Sequence, residues 1–175
     1  MPPKPVKTLD AQGLMSYAAR VLSARAQTVS ELREKLRRKA ADVEDVDAVL
    51  TRLREGGYLN DARFADSFAG WRRDNEGFGK ARVVRDLMAR RVAPELAKKA
   101  VESAFKESDE TEMIEKYLAR KYRGKDLGAL LSEEKHLASA YRRLRTAGFS
   151  TSNSIRVLKK FAAQAERLEE MEDAE

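Results

Sequence analysis

Two short stretches carry residue types that could bind phosphate or nucleic acid. Gly77-Phe78-Gly79-Lys80 combines glycines with a lysine, as phosphate-binding loops do, and Trp71-Arg72-Arg73 places an indole beside two guanidinium groups, which can stack on single-stranded bases. A Walker loop needs four residues between its glycines, Ser or Thr after the lysine, and a preceding strand. Because all three are missing, we interpret the glycine run as a helix end followed by a helix start with solvent-exposed amides.

Trp71 has two readings. It lies seven residues after Phe64, which places both side chains on the same face of a helix. That spacing favours packing of Trp71 in the core over stacking on a base. The neighbouring Arg72 and Arg73 point elsewhere and stay available for a partner.

The other reactive residue types do not form a catalytic site. His136 is the only histidine, and no nucleophile or carboxylate stands at a recognisable spacing from it. Pairs such as Glu44-Asp45 and Glu133-Glu134 fall at helix starts, where they complement the helix dipole. With no cysteine in the chain, disulfides, thiolate metal sites and a catalytic thiol are excluded. We therefore expect no enzyme activity, no metal and no cofactor.

The charge balance indicates the kind of partner. The formal charge is +6 and the sequence pI is about 9.5, which favours nucleic acid or an acidic protein surface. No window approaches the roughly 20 apolar residues of a membrane span, and the N-terminus has no signal-peptide core. We expect a cytoplasmic protein without membrane contact.

Apolar residues recur at helical spacing along the chain, and no period-two strand pattern is present. We predict nine helices. Thr28 and Glu31 form a capping box, and Pro94 suits a first helical turn. Further caps are predicted at Asp42, Asn60, Ser132, and Ser150 or Thr151. Gly56 or Gly57 is predicted to end helix three, and Gly148 to end helix eight. Tyr58, Leu59 and Phe64 are predicted to join the first three-helix unit to the second.

The helices repeat in groups of three. When the second helix of each group is aligned, Leu36, Leu87 and Leu144 coincide, 51 and 57 residues apart. We predict an all-α fold in which three tandem three-helix units form an elongated, modular array. The predicted divisions are a disordered segment (1–9), the three units (10–58, 59–107 and 108–165) and an acidic tail (166–175).

Basic residues recur in all three units, which favours a continuous basic stripe over isolated solvated faces. We selected candidate contacts to a protein or DNA partner by their charge and by their positions off the apolar stripes. They are Arg37, Arg38, Arg72, Arg73, Lys80, Arg82, Arg85, Arg90, Arg142, Arg145, Lys159 and Lys160.

A family resemblance rests mainly on one segment. Residues 53–65, Leu-Arg-Glu-Gly-Gly-Tyr-Leu-Asn-Asp-Ala-Arg-Phe-Ala, resemble a signature of the RecX family of bacterial RecA regulators. Residues 30–36 and 77–82 resemble two further segments of that family, in the same order and spacing. The chain departs from the family pattern after the second helix of units one and two, where Lys39-Ala40-Ala41 and Arg91-Val92 replace a glycine. These replacements put a left-handed helix end in doubt at both places.

The resemblance implies a non-enzymatic regulator that lies along the RecA nucleoprotein filament and limits its ATPase, strand exchange and growth or stability. The competing hypothesis is a helical DNA-binding protein that acts without RecA, with the same basic residues holding phosphates. The chain shows no recognition helix for base edges, and weak nonspecific DNA binding is compatible with both hypotheses. We expect a monomer.

Overall fold

The computed structural model describes residues 8–163 and residue 165. Those residues form α-helices, a π-helical turn (Arg72–Glu76) and one isolated bridge, with no β-strand. The helices are α1 (Ala11–Ala24), α2 (Val29–Arg37), α3 (Val43–Glu55), α4 (Asp61–Trp71), α5 (Lys80–Ala89), α6 (Pro94–Ala104), α7 (Glu110–Lys121), α8 (Leu127–Leu131), α9 (Glu134–Thr146) and α10 (Thr151–Leu158). The all-α prediction is confirmed.

Side-chain caps begin several helices where the sequence placed them. The Thr28 hydroxyl accepts from the Glu31 amide at 3.1 Å, and the Glu31 carboxylate accepts from the Thr28 amide at 3.1 Å, which completes the capping box of α2. Asp42, Asn60 and Ser150 cap α3, α4 and α10 with their side chains, each of which accepts from a backbone amide two or three residues later. Local sequence therefore sets these helix starts.

The third group of helices contains one helix more than predicted. The short α8 ends at Leu131 with Ser132 as its C-cap, and Glu133 takes the N-cap position of α9, so the predicted cap at Ser132 is wrong. α9 begins at Glu134 without a side-chain cap. The extra turn is stabilised by Leu131, which is fully buried.

Three hydrophobic clusters form the core, one in each group of helices. The first joins α1–α3, the second α4–α6, and the third α7–α10. Leu36, Leu87 and Leu144, the residues that aligned in the repeat, are fully buried, one in each cluster. The molecule is thus an array of three packed groups.

Helices α2, α5 and α9, which carry the repeated leucines Leu36, Leu87 and Leu144, meet end to end. The Arg90 carbonyl at the end of α5 accepts a hydrogen bond from the Thr28 hydroxyl at the start of α2, at 3.0 Å. At the start of α5, the Gly79 and Ala81 amides donate to the Ala147 and Gly148 carbonyls at the end of α9, at 2.9 and 3.2 Å. Each contact joins a positive helix start to a negative helix end, which is electrostatically favourable. We call these three helices the column, and its contacts the α2–α5 and α5–α9 joints.

The two joints differ in chemistry. Phe78 and Met113 pack against both the second and the third cluster, so the α5–α9 joint has a continuous hydrophobic core. Among the described residues, no hydrophobic side chain is shared in this way by the first and second clusters. The α2–α5 joint therefore depends mainly on hydrogen bonds and ion pairs.

The first two groups lack a glycine after α2 and α5, and the backbone differs at these two helix ends. After α5, Arg91 itself adopts a left-handed backbone with φ of 60°, the place that Gly148 takes after α9 with φ of 91°. After α2, Leu9 pairs with the chain instead: its amide donates to the Lys39 carbonyl at 2.7 Å. Leu9 is thus ordered, although it falls in the segment predicted to be disordered. Residues 1–7 of that segment and the acidic tail lie outside the described residues.

The corner between α3 and α4 does not join the units as predicted. Gly57, with φ of 71°, ends α3 as expected. Leu59, however, packs in the first cluster and Phe64 in the second, while Tyr58 is exposed. The connection comes from Asp61, whose carboxylate accepts from the Val29 amide at 2.8 Å.

Candidate partner-binding surface

The structure separates the twelve predicted contact residues into an outer and an inner set. The outer set is solvent-exposed and consists of Arg37, Arg38, Lys80, Arg85, Arg142, Lys159 and Lys160. The inner set is half-buried and consists of Arg72, Arg73, Arg82, Arg90 and Arg145. The assumption that all twelve lie off the packed faces is wrong for the inner set.

The outer set differs in how strongly its charges are already paired. Arg38 pairs with Glu34 and Lys160 with Glu115, both at the surface, where such pairs contribute little to stability. Arg85 donates to the Thr146 carbonyl at 3.1 Å. Within residues 8–163, Arg37 and Arg142 have no acidic partner. Every helix of the column therefore presents an exposed arginine: Arg37 on α2, Arg85 on α5 and Arg142 on α9.

Arg90 is the central residue of the α2–α5 joint. Its Nε and Nη2 donate to both carboxylate oxygens of Glu31, at 2.8 and 2.9 Å. Its guanidinium carbon also lies 4.6 Å from the centre of the Phe64 ring. Both partners of the ion pair retain less than a quarter of their side-chain exposure. A bidentate pair in this setting holds the first group of helices against the second.

Two half-buried carboxylates, Glu31 at the α2–α5 joint and Glu110 between α7 and α10 of the third group, have lowered pKa values. Burial alone would raise the pKa of Glu31, but hydrogen bonds from Arg90 and the Thr28 amide, with the Arg90 charge, together hold that pKa below its ordinary value. Burial would likewise raise the pKa of Glu110, and bonds from Ser150 and Asn153 outweigh it. Glu110 accepts from the Ser150 amide at 3.0 Å and the Asn153 amide group at 2.6 Å.

These shifts predict that acid destabilises the array. A carboxylate whose pKa is lower in the folded than in the unfolded chain stabilises the fold above the unfolded value, about 4.5, and loses that contribution as pH falls through the folded value. The melting temperature should therefore fall below about pH 4.5. Glu31→Gln with Glu110→Gln should lower stability at pH 7 by about 1–3 kcal/mol for each carboxylate and flatten the profile. The exposed control Glu102→Gln should change neither the stability at pH 7 nor the dependence of the melting temperature on pH. If the double variant showed the same fall of melting temperature in acid as the unchanged chain, this account would be contradicted.

Arg72 and Arg82 hold Phe78 between them. Their guanidinium carbons lie 5.6 and 5.1 Å from the centre of the Phe78 ring. Both also pair with Asp86, Arg82 Nε at 2.9 Å and Arg72 Nη2 at 3.5 Å. Arg72 lies over the Phe68 ring as well, at 5.0 Å. Since these two cations support the ring that both clusters share, their first role is to stabilise the second group and the α5–α9 joint.

The other inner arginines also bind the protein itself. Arg73 donates to the Ala104 carbonyl at the end of α6 and pairs with Asp74 at 2.6 Å. Arg145 donates to the Phe149 carbonyl at 2.5 Å. Arginines near helix ends satisfy carbonyls that would otherwise lack a donor.

The glycine run that resembles a phosphate loop, Gly77-Phe78-Gly79-Lys80, lies at the α5–α9 joint. A Cβ on Gly79 would lie 2.3 Å from the Gly148 carbonyl oxygen, and a Cβ on Gly148 would lie 2.2 Å from the Arg82 amide nitrogen. Both positions require glycine because two backbones meet there. The expectation of amides open to solvent is wrong, since those of Gly79 and Ala81 donate to carbonyls of α9.

The remaining candidates for chemistry lie apart. His136 is half-buried, with Nε2 at 3.4 Å from a Glu133 oxygen. No group of three or more His, Cys, Asp or Glu side chains in the described part of the chain could hold a metal ion. Within the same part, no helix is long and apolar enough to cross a membrane.

Several exposed side chains lie outside the predicted set of contact residues. Arg63, Arg91 and Arg143 are exposed but were not selected, although Arg91 directly follows a residue that was. Trp71 is 52% exposed, so its predicted place in the core is wrong. Tyr58 is 73% exposed. The signal available for these residues was their position next to helix ends, where packing is incomplete.

Comparison with known proteins assigns the chain to a family. Two family models match it, the first three-helix domain of RecX at residues 15–53 and the second three-helix domain at residues 60–101. The regulatory protein RecX of Deinococcus radiodurans is 35% identical over 154 residues, which cover 86% of this chain and 70% of that protein. The chain belongs to the RecX family. The resemblance found in the sequence is thereby confirmed.

Other RecX proteins extend the comparison. The regulatory protein RecX of Trichlorobacter lovleyi is 33% identical over 109 residues, covering 62% of this chain and 71% of that protein. The crystal structure of RecX from Lactobacillus salivarius matches with a TM-score of 0.65 at 17% identity and covers 86% of this chain and 96% of that one. At this identity the match shows the fold. RecX is a family of regulatory proteins, and the helical array is its fold.

Proposed function

We propose that this RecX-family chain binds the RecA nucleoprotein filament and inhibits RecA's ATPase, strand exchange and filament growth. Membership of a regulatory family is the observation that carries the proposal. RecA regulation fits the family name. The chain would act as a cytoplasmic monomer without chemistry of its own.

The column suits a repetitive partner. Its three helices meet end to end, and each presents at least one exposed arginine, including Arg37, Arg85 and Arg142. A filament offers the same surface once per protomer, so binding at one group of helices brings the next group close to an equivalent surface. Each further contact is then effectively intramolecular, which raises overall affinity without any single strong site.

The joints serve that mode of binding. A flexible linker would leave each group to search for its own contact, whereas fixed joints keep the spacing of the three groups. The inner arginines contribute through the joints: Arg90 fixes the α2–α5 joint, and Arg72 with Arg82 supports the α5–α9 joint. We therefore assign partner contacts to the outer set and structural support to the inner set.

Charge reversal on the column tests the proposal. The variant Arg37→Glu, Arg85→Glu, Arg142→Glu should raise the concentration needed for half-inhibition of RecA's DNA-dependent ATPase by about tenfold or more, because three contacts become repulsive. The matched control Lys99→Glu, Lys106→Glu, Arg123→Glu changes net charge equally at exposed positions off the column and should cost less than about threefold. Far-UV circular dichroism checks that both keep native helicity. Equal losses in the two variants would remove the column from the mechanism.

A further inference from the structure

A groove of about 720 Å³ lies between the end of α1 and the outer face of α4, outside the surfaces assigned above. Its lining includes four aromatic side chains and three arginines, and no acidic side chain. The residues that matter here are Arg25, Tyr58, Arg63, Phe68, Trp71 and Arg90. The combination of aromatic and cationic groups calls for an anionic ligand with flat apolar faces.

Two of its rings are exposed to an unusual degree. Tyr58 is 73% exposed and Trp71 is 52% exposed. They are the two aromatic members among the four large hydrophobic side chains that the described structure leaves exposed, and both line this groove. Exposed aromatic surface beside a concave site is typical of a binding surface rather than of an ordinary solvated face.

Tyr58 and Arg63 are held in place by the corner between α3 and α4. A Cβ on Gly56 would lie 2.9 Å from two carbons of the Tyr58 ring, so the ring lies directly over that glycine. Arg63 Nη2 donates to the Gly57 carbonyl at 2.6 Å. The two glycines therefore position both an aromatic face and a cation at the groove, which lowers the ordering cost of binding.

Trp71 is positioned from the other side. It is the last residue of α4, and its carbonyl accepts from the Asn75 side-chain amide in the π-helical turn at 3.2 Å. The Arg72 guanidinium carbon lies 5.8 Å from the centre of the indole. The Trp71 backbone is therefore held at the end of α4, and about half of the residue's surface stays open to a ligand.

The cations of the groove complement phosphate. Arg25 and Arg63 are exposed, whereas Arg90 is paired with Glu31 and stabilises the α2–α5 joint. Proteins that bind single strands without sequence preference use this arrangement, with cations along the backbone and aromatic rings under the bases. An acidic peptide would satisfy the arginines but would leave two rings without flat partners.

We propose that this groove binds single-stranded nucleic acid, with bases stacked on Trp71 and Tyr58 and phosphates held by Arg25 and Arg63. The site requires no other protein. It therefore stands or falls separately from the regulation of RecA.

The chain contains a single tryptophan, so intrinsic tryptophan fluorescence reports on the groove directly. Titration of the whole chain with an oligothymidylate of about eight nucleotides, at low salt, should quench Trp71 emission in a saturable way, and added salt should weaken the effect. Inorganic polyphosphate, an anion without bases, and a polyglutamate peptide should quench much less. Quenching of equal size by polyphosphate or by the peptide would overturn the proposal, as would no quenching by the oligonucleotide.

Variants separate stacking from general attraction. By fluorescence anisotropy of a labelled oligothymidylate, Tyr58→Ala and Trp71→Ala should each weaken binding by about fivefold to a hundredfold. Tyr58→Phe and Trp71→Phe, which retain a ring, should lose much less. Val43→Ala removes an equally exposed apolar side chain outside the groove and should change nothing. Equal affinities for the ring-less and control variants would place the binding elsewhere and sink the proposal.

Discussion

Replacing Gly148 by alanine is expected to lower the free energy of unfolding by about 3–5 kcal/mol. The added Cβ would lie 2.2 Å from the Arg82 amide nitrogen and 2.8 Å from the Arg82 Cα, both backbone atoms that cannot move aside. The residue also has φ of 91°, which strains any side chain. Strain of this kind and overpacking each cost about 1–3 kcal/mol. Denaturant unfolding followed by circular dichroism measures the loss.

Two other glycines provide matched controls. Gly124 also has a positive φ, 78°, but a Cβ there meets nothing within 4 Å, so Gly124→Ala should show the backbone strain alone. Gly70 lies inside α4 with the same open space, and Gly70→Ala should stabilise the chain by up to about 1 kcal/mol. If Gly148→Ala cost no more than Gly124→Ala, the close approach of α5 and α9 would not exist in solution.

Replacing Arg90 by alanine is expected to cost about 2–4 kcal/mol and to uncouple the first group of helices from the other two. The substitution leaves the Glu31 carboxylate half-buried without its bidentate partner and removes the cation over Phe64. Because no hydrophobic side chain in the described residues bridges this joint, little else replaces the lost contact. Thermal unfolding should change from one transition to two, with the first group melting at the lower temperature.

The neighbouring Arg91 is the control for that experiment. Its Nη1 lies 3.5 Å from Glu34 Oε2, and its side chain remains 63% exposed. Arg91→Ala should therefore change the free energy of unfolding by less than about 1 kcal/mol and leave a single thermal transition. A single transition in Arg90→Ala as well would show that the α2–α5 joint does not depend on this ion pair.

Local signals in the sequence predicted most helix starts. A capping box at Thr28, an asparagine at position 60 and a serine at position 150 each act through amides within three residues, so nothing distant is needed to interpret them. The repeat of Leu36, Leu87 and Leu144 worked for a related reason, because a side chain that is buried in each group constrains residue type strongly.

The aromatic stripe on α4 misled the interpretation of Trp71. The face of α4 that packs most tightly carries the small side chains Ala65 and Ala69, and the facing helix α6 offers Ala97 and Ala100, all fully or almost fully buried. Alanines on both sides allow close approach, which shifts the packed face away from the line of larger rings. The spacing of apolar residues shows that they share one side of a helix, but it does not show which of two adjacent sides packs against the neighbouring helix.

The roles of the arginines and glycines could not be predicted from local pattern. Arg72 looks like a surface residue in the sequence, and a π-helical turn that begins at that residue turns it toward Phe78 and Asp86. Gly79 and Gly148 are 69 positions apart, so neither position alone shows that their backbones meet. Such contacts depend on tertiary packing, and the sequence shows the two glycines without showing that they meet.

These contacts connect the fold to the proposed regulation. Three small groups of helices are kept at fixed spacing by two joints, one polar and one built from backbone and Phe78. The half-buried arginines Arg72, Arg82 and Arg90 support the joints, whereas Arg37 and Arg142 only face solvent; Arg85 does both, since it is exposed and also donates to the Thr146 carbonyl across the α5–α9 joint. Loss of an inner arginine should therefore weaken regulation through the structure, and loss of an outer one through the contact itself.

The most direct test of the proposed function is RecA's DNA-dependent ATPase, titrated with the whole chain at a salt concentration that suppresses the chain's own binding to DNA. We expect the ATPase to fall steeply at or below one chain per RecA protomer, because each chain would contact several protomers. An ATPase that stays unchanged at equimolar chain, with the chain shown to be folded by circular dichroism, would contradict the proposal.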